Sequence, residues 1–204
     1  MSKFSLYIGS QFKKPRGFVG KCCCIVMNVI NNAMYRRVLQ YIDADEKTKI
    51  LDIGYGNGYL INRIYKKYSS IIYGIDISED MKKEAEKRNE QGVKNGNIKL
   101  SVGDCCNCVY SDNFFDIITT VNTVYFWQSS EVGLAEIYRI LKPNGVFYNV
   151  VYTKEWLQRL SYTKEGFHFF EKQELCTLGK QSGFSNVAVI DISKNKSFMV
   201  IYKK

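Results

Sequence analysis

The chain has 204 residues, of which 46% are hydrophobic and 24% are charged, a composition typical of a globular protein with one sizeable core. No apolar run approaches the roughly 18 residues that a membrane-spanning helix needs, so we expect no such helix. The net charge of +9 would suit a nucleic acid or another acidic partner. Because the lysines are scattered and no run of five basic residues occurs, a solvated Lys-rich surface is the favoured interpretation.

The N-terminal region divides into two parts. Residues 1–21 are rich in Gly and Lys and predict an irregular arm, whereas residues 22–41 have the apolar spacing of a helix. Residues 22–30 are the most apolar stretch, but Asn28 interrupts them and no cleavage pattern follows. We therefore expect no leader, a cytoplasmic protein and no membrane partner.

Strands and helices alternate along the rest of the chain. The predicted strands are residues 49–54, 71–76, 97–102, 115–121 and 146–152, followed by a β-rich pair at 186–192 and 197–202 that is close enough to form an antiparallel hairpin. The predicted helices are residues 59–68, a segment that Ser78 caps and that ends near residues 92–96, residues 129–141, and residues 171–182. This alternation predicts a doubly wound, mostly parallel sheet in a single α/β domain, with ligands bound at the carboxyl ends of its strands.

The seven cysteines are an odd number, so they cannot all pair in disulfides. Cys22, Cys23 and Cys24 are consecutive and would point in different directions on a helix, while residues 105–108 offer one C-x-x-C spacing without the second pair of a zinc site. We expect reduced thiols and no metal ion.

A glycine-rich turn follows the first predicted strand. Gly54, Gly56 and Gly58 have the spacing G-x-G-x-G, which differs from the G-x-G-x-x-G of dinucleotide-binding turns. Asp52 stands two residues before the first glycine. Its carboxylate would oppose a pyrophosphate but suits a ligand with an ammonium and a sulfonium group, such as S-adenosylmethionine (SAM).

Polar residues also end the following strands. Asp76 and Ile77 end the second strand about twenty residues after the glycine turn, where a carboxylate can accept hydrogen bonds from ribose hydroxyls. Asp104 and Cys105 follow the third strand, and Asn122 follows the fourth.

The order and spacing of these motifs in residues 47–150 resemble class I SAM-dependent methyltransferases, in the broad group that includes the ubiquinone-biosynthesis type (methyltransferase type 11). The resemblance implies a Rossmann-like seven-stranded sheet of order 3-2-1-4-5-7-6 with strand 7 antiparallel, preceded here by an N-terminal helical extension. In residues 11–17, with Met27 and Asn28, the resemblance is to uncharacterised bacterial members and implies no substrate. Asn144 stands where the family often has glycine in a structural L-K-P-G-G turn.

The resemblance also implies roles for individual residues. The methionine part of SAM would be surrounded by the glycine turn and contacted by Asn122, and the ribose would be held at Asp76. The adenine would lie beside Met81 and against Asp104 and the backbone of Cys105. The full set of implied cofactor-binding residues is Asp52, Gly54, Gly56, Gly58, Asp76, Ile77, Met81, Asp104, Cys105 and Asn122.

The acceptor is less clearly marked. His168, the only histidine, and Tyr125 are the candidate catalytic residues, and Tyr125, Trp127, Trp156 and Tyr162 could line an acceptor pocket or belong to the core. The chain lacks the N-P-P-Y and Pro-Cys motifs of nucleic-acid methyltransferases and the acidic pair of magnesium-dependent catechol-type enzymes. A small-molecule acceptor is therefore favoured over two alternatives, an RNA methyltransferase that uses the basic surface and a SAM-binding protein without turnover.

We expect residues 1–204 to form one domain, with an arm and helix in residues 1–43 and a catalytic core in residues 44–204. Residues 1–35 could act as a lid over the acceptor site, with hinges at Gly9, Gly17 and Gly20 and apolar cover from Phe4, Tyr7, Phe12 and Phe18. The alternative is an arm that packs permanently on the sheet edge.

Overall fold

The computed structural model describes residues 3–204, with the side chains of residue 7 and residues 9–204. Its sheet is formed by β1 (Lys49–Ile53), β2 (Ile71–Asp76), β3 (Ile98–Val102), β4 (Phe115–Val121), β5 (Leu141–Tyr152), β6 (Asn186–Ser193) and β7 (Ser197–Lys203). The strand order is β3-β2-β1-β4-β5-β7-β6, and β7 is antiparallel to both of its neighbours. The predicted doubly wound fold is confirmed.

Helices cover both faces of this sheet. They are α1 (Lys3–Lys13), α2 (Gly17–Ile30), α3 (Asn32–Tyr41), α4 (Tyr59–Tyr68), α5 (Glu79–Arg88), α6 (Glu90–Lys94), α7 (Ser130–Ile140), α8 (Lys154–Gln158) and α9 (Lys172–Gln181), with short 3-10 turns at Val124–Phe126 and Ser161–Thr163. The central strands are apolar runs without alternation, and Ile50, Leu51 and Ile118 have no exposed surface. Such runs are typical of parallel strands buried on both faces.

The prediction of an irregular arm in residues 1–21 is wrong for the described part, because α1 spans Lys3–Lys13 and α2 begins at Gly17; residues 1 and 2 lie outside the described residues. Tertiary packing supports α1. The ring of Phe12 lies 4.8 Å from that of Tyr162, and Gly9 packs so closely that a Cβ there would lie 2.5 Å from the Tyr162 carbonyl oxygen.

Three boundaries differ from the sequence prediction. The helix expected over residues 22–41 is two helices whose axes bend by 61° between Ile30 and Asn32. The helix capped by Ser78, whose hydroxyl accepts from the Met81 N–H, breaks at Asn89 into α5 and α6. β5 begins at Leu141 instead of residue 146, because Leu141 pairs with Phe115 of β4 and an irregularity precedes the next pair, Ile117 with Val146.

Candidate functional site

A cavity of about 480 Å³ lies at the carboxyl ends of β1, β2, β4 and β5. The strand order places β2 and β3 on one side of β1, and β4 and β5 on the other. Polar loops after β1–β3 form one part of the cavity, the carboxylate end, which includes Asp76 and Asp104. Rings that follow β4 and β5, including Tyr125, Tyr152, Tyr162 and Phe167, form the aromatic end.

The glycine turn after β1 depends on left-handed backbone geometry. Gly54, Gly56 and Gly58 have φ values of 69°, 53° and 71°, which side chains other than glycine rarely adopt. A Cβ on Gly54 would lie 2.2 Å from the Thr123 methyl group, and one on Gly58 would lie 2.8 Å from the Ala85 methyl group. A Cβ on Gly56 would meet nothing within 4 Å. Gly54 and Gly58 thus allow close packing of the protein on itself, whereas Gly56 leaves open space beside the cavity.

Asp76 links the glycine turn to the end of β2. Its carboxylate accepts hydrogen bonds from the backbone N–H of Gly56 and of Ser78, each at 2.9 Å. Burial raises the pKa of Asp76, and the N–H groups of Gly56, Ser78 and Ile77 offset part of that rise. These bonds fix the orientation of a buried carboxylate that still faces the cavity.

Asp52 lies deeper, in the sheet itself. It is buried, and its Oδ1 accepts a hydrogen bond from the Thr119 hydroxyl of β4 at 2.8 Å. Burial raises the pKa of Asp52 to about 7, the Thr119 hydrogen bond lowers it in part, and repulsion from Asp76 raises it further. Asp52 therefore titrates near neutral pH.

The structure brings most of the predicted cofactor-binding residues together. The cavity is lined by Gly54, Gly56, Asp76, Ile77, Asp104, Cys105 and Asn122. Asp52, Gly58 and Met81 lie behind this lining. Met81 has no exposed surface, and its sulfur is 3.3 Å from the Cys24 sulfur of α2. Gly58 begins α4 and packs on α5.

A hydrogen-bonded network lies at the aromatic end. Asn122 has φ of 60°, and its amide donates to the side-chain oxygen of Asn31 at 3.1 Å. The same Asn31 oxygen accepts from the Tyr152 hydroxyl at 2.7 Å. The Tyr125 hydroxyl donates to the Asn122 side chain at 3.1 Å and accepts the backbone N–H of Tyr152 at 2.5 Å. The network joins the junction of α2 and α3 to β4 and β5.

The two candidate catalytic residues differ in their surroundings. Tyr125 is 1% exposed, and burial raises the pKa of its phenol well above the ordinary value. With its hydroxyl engaged as donor and acceptor, Tyr125 is suited to position Asn122 and unsuited to act as a base. His168 is exposed at the cavity rim, where its backbone N–H donates to the Tyr125 carbonyl oxygen at 3.0 Å.

Of the other aromatic residues proposed for an acceptor pocket, Trp127 and Tyr162 line the cavity. Trp156 lies outside the lining, beside Tyr152 and under the Lys196 ammonium group, which is 4.6 Å from its ring. Phe126 and Phe167, which the sequence did not single out, line the cavity with ring centroids 4.6 Å apart.

The N-terminal helices close the cavity on the side away from the strands. Residues of α2, among them Cys23, Cys24 and Met27, contribute to the lining. The segment before α2 is tied to the start of α5, because the Ser78 hydroxyl donates to the Pro15 carbonyl oxygen at 2.7 Å and the Gly17 N–H donates to Asp80 at 2.8 Å. The sequence signals for this part of the site were the helical periodicity of residues 22–41, the resemblance in residues 11–17 with Met27 and Asn28, and the composition that suggested a lid.

All seven cysteines are unpaired in the structure. Within residues 3–204, the potential metal ligands that come together are Asp104, Cys105 and Cys106, whose ligand atoms lie within 4.8 Å of one another. Burial raises the pKa of both thiols. A raised pKa favours the protonated thiol over the thiolate that binds metals, which agrees with the expectation of no metal ion. That expectation stays a prediction.

Comparison with known families adds to this geometry. A family model described as a methyltransferase domain matches residues 51–149, from β1 to β5. The match identifies a methyltransferase domain in residues 51–149, slightly less than half of the chain. The matched residues include the glycine turn, Asp76 and Asn122, so the match covers the carboxylate end, whereas Tyr152, Tyr162 and Phe167 of the aromatic end lie beyond it.

Curated relatives share this domain at modest identity. The uncharacterized methyltransferase YdaC of Bacillus subtilis is 29% identical over 121 residues, which cover 59% of this chain and 65% of that protein. A demethylmenaquinone methyltransferase of Bacteroides fragilis is 26% identical over 160 residues, which cover 78% of this chain and 64% of that protein. The chain thus spans slightly less than two thirds of the length of either relative.

Solved structures show the same fold. Phosphoethanolamine N-methyltransferase 2 of Haemonchus contortus, in complex with SAM, superposes with a TM-score of 0.73 at 16% identity, covering 84% of this chain and 52% of that one. Geranyl diphosphate C-methyltransferase of Streptomyces coelicolor, in complex with S-adenosylhomocysteine, also gives a TM-score of 0.73, at 9% identity and with coverage of 84% and 75%. At these identities the likeness extends to the fold alone.

Proposed function

We propose that this protein transfers the methyl group of SAM to a small, uncharged and largely apolar acceptor. The observation that carries the proposal is the division of one cavity into a carboxylate end and an aromatic end. A cofactor with polar and cationic groups suits the first, and an apolar acceptor suits the second. The two ligands would therefore meet inside a single cavity.

The carboxylate end fits SAM in shape and chemistry. Gly56 leaves open space where a side chain would intrude, and Asp76 presents a buried carboxylate whose orientation is fixed by backbone N–H groups. The whole cavity, including both ends, has a volume of about 480 Å³, which is within the range of small-molecule sites. We infer that Asp76 holds the ribose of SAM and that Asp104 and Cys105 hold its adenine. The methionine part would lie against Gly54, Gly56 and Asn122. Asp52 lies behind the glycine turn and would contribute its carboxylate from there without lining the cavity.

The aromatic end argues for the class of acceptor. Tyr125, Tyr152 and Phe167 line it with rings, and Leu157 and Leu160 add aliphatic surface. Lys13 is the one Lys or Arg among the lining residues, and the carboxylates Asp76 and Asp104 belong to the other end, so a charged acceptor would regain little of the hydration that it loses beside the rings. An apolar molecule, in contrast, would gain from burial and from contact with the rings. These contacts support an uncharged ring or chain as the acceptor.

Bound SAM supplies an electrophilic methyl group on a sulfonium. The protein's own part is to hold the acceptor in line and to keep water out, and proximity of this kind can supply much of the acceleration. The network of Asn31, Asn122 and Tyr152 places amide and hydroxyl groups between the two ends of the cavity. His168 is the group at the rim that could take a proton, if the acceptor arrives protonated.

Calorimetry tests the cofactor half of the proposal. The wild-type chain should bind SAM and S-adenosylhomocysteine in a one-to-one complex and should bind NAD far more weakly. Equal affinity for NAD, or no binding of S-adenosylhomocysteine by the folded chain, would overturn it.

Labelling tests the acceptor half. The protein should be incubated with methyl-labelled SAM and a cell extract, and the product then partitioned between organic solvent, water and macromolecules. We expect the label in the organic fraction. Label in RNA would support the alternative that uses the basic surface, and SAM binding without any labelled product would support a protein without turnover.

Two phenylalanines provide a matched pair of variants. Phe167 lines the cavity, whereas Phe169, two residues away and equally half-buried, does not. Phe167→Ser should raise KM for the labelled acceptor more than Phe169→Ser does, while both variants keep their affinity for S-adenosylhomocysteine. The same KM for both variants would count against an acceptor site at the aromatic end.

A further inference from the structure

Helix α2 has apolar residues on both of its faces. Its inner face packs on the cavity through Cys23, Cys24 and Met27. Its outer face is exposed to solvent, and Phe18 and Val29 there are 79% and 76% exposed. A helix that is apolar all round is normally buried on all sides. The outer face of α2 is instead exposed, although its residues are of the type that is usually packed against another surface.

The exposed residues form one continuous strip. Phe18, Cys22, Ile25 and Val29 follow the spacing i, i+4, i+7 and i+11, which aligns them along the helix, and Val26 borders them. We call this set, together with Val19 and Ile30, the outer strip. Single exposed apolar residues are common, but a contiguous strip of this kind usually marks a contact surface.

The charged residues of the segment that carries the outer strip are all basic, although Asp80 and Glu84 of α5 contact Gly17 and Lys21 at its edge. The first 42 residues contain seven Lys and Arg and no Asp or Glu, so they carry +7 of the chain's +9, and the remaining 162 residues carry only +2. Lys13, Lys14 and Arg16 directly precede α2 and are exposed, and Arg36 is exposed on α3. The scattered lysines of the whole sequence had concealed this concentration of charge.

We propose that the outer strip docks α2 on an anionic lipid surface, with the helix lying in the plane of the headgroups. An apolar helix face flanked by basic residues is the combination that binds such surfaces. A second copy of the chain is disfavoured as the occupant, because a symmetric contact would bring two segments of +7 together. This proposal is independent of the acceptor and of the methyl transfer.

The helix would lie on the lipid surface and would not cross it. Within residues 3–204 no single helix is long and apolar enough to span a membrane; α2 and α3 pass together by length and composition, but they bend by 61°. The inner face of α2 is also occupied by the cavity and by α5, through contacts such as the ion pair of Lys21 with Glu84 at 2.7 Å. The expectation of no membrane partner rested on the lack of a spanning run and did not consider a helix on the surface.

Sedimentation of the full chain with vesicles tests the proposal. Two preparations are compared, phosphatidylcholine alone and phosphatidylcholine mixed with phosphatidylglycerol. Val26→Ser with Val29→Ser changes the outer strip, and Val109→Ser with Val132→Ser is a matched control, because these two valines are 91% and 51% exposed elsewhere on the surface. All four positions lie outside the cavity lining, so S-adenosylhomocysteine binding reports that each variant is folded.

We expect the wild type and the control to bind the anionic vesicles, with weaker binding to phosphatidylcholine alone and at high salt. The outer-strip variant should bind about tenfold more weakly or worse, since two apolar side chains are lost. Equal binding of the two double variants, or no wild-type binding to anionic vesicles, would overturn the proposal. A dimer in sedimentation velocity that only the outer-strip variant loses, without vesicle binding, would assign the strip to a second copy.

Discussion

The two ends of the cavity are constructed differently. The carboxylate end comes from three successive strand–loop junctions between Asp52 and Cys105, and its shape depends on backbone conformation and backbone N–H groups. The aromatic end collects side chains from separate parts of the chain, from Phe12 to His168. A backbone-built site tolerates few substitutions, whereas a side-chain-built site can change its ligand without a change of fold.

The largest effect should come from the glycine turn. Gly54→Ala should lower the free energy of unfolding by about 2–4 kcal/mol, because it combines a strained φ with a clash against Thr123. Gly56→Ala is the control, since it has the same left-handed strain without the clash, and it should cost about 1–2 kcal/mol. Urea unfolding measures both, and equal losses would show that the Thr123 contact is unimportant.

The next effect concerns the ligand. Asp76→Ala should weaken S-adenosylhomocysteine binding by about 1.5–3 kcal/mol, the value of hydrogen bonds to a charged group. Asp191→Ala, at an exposed position of β6, should leave the affinity unchanged. Calorimetry compares the two, and unchanged affinity in Asp76→Ala would remove Asp76 from the cofactor site.

A third test uses pH. The pKa of Asp52 is raised to about 7 in the folded protein, so the folded state keeps its proton to higher pH than the unfolded state does. The stability that this proton contributes is present at acid pH and is lost as pH rises through 7. Between pH 5 and 7 the loss should be about 2 kcal/mol.

The variant Asp52→Asn stays uncharged and should remove this fall, while Asp191→Asn should retain it. The measurement is urea unfolding at several pH values. If wild type and Asp52→Asn keep a constant difference in stability between pH 5 and 7, the raised pKa is contradicted.

The smallest effect concerns α2 and the segment before it, which line the cavity. We expect α2 and the segment before it to act as a lid, so that amide exchange in residues 11–31 slows when S-adenosylhomocysteine is added, without a comparable change in β6 and β7. The contacts of Pro15 and Gly17 with α5 are few enough to open. Equally strong protection of residues 11–31 with and without ligand would favour a permanently packed arm.

The contrast between the two ends also explains what the sequence could predict. Glycine spacing, strand-ending carboxylates and a helix cap are local signals, so the alternation of strands and helices and most of the carboxylate end followed from the sequence, whereas the sheet order came from the family resemblance. Met81 is instructive, because the resemblance places it beside the adenine while the structure buries it under α2. Sequence order alone did not indicate that a helix would cover this position.

The aromatic end was only partly predictable. Phe126 and Phe167 meet across forty residues of sequence, and α1 is helical because of its contact with Tyr162. Packing of this kind depends on which segments meet in the folded chain, and neither periodicity nor motif spacing contains that information. The basic N-terminal region was overlooked for a different reason, since runs of basic residues were considered without the absence of Asp and Glu from residues 1–42.

Asn122 connects these observations to the way the protein could be engineered. Its left-handed backbone would suit glycine, but asparagine tolerates this conformation well, so Asn122→Gly would relieve little strain. That exchange would remove the amide that joins Asn31 to Tyr125 between the two ends of the cavity. Each of these partners would lose a hydrogen bond, so a selection for heat resistance should retain asparagine here, and we expect the same of a selection for turnover.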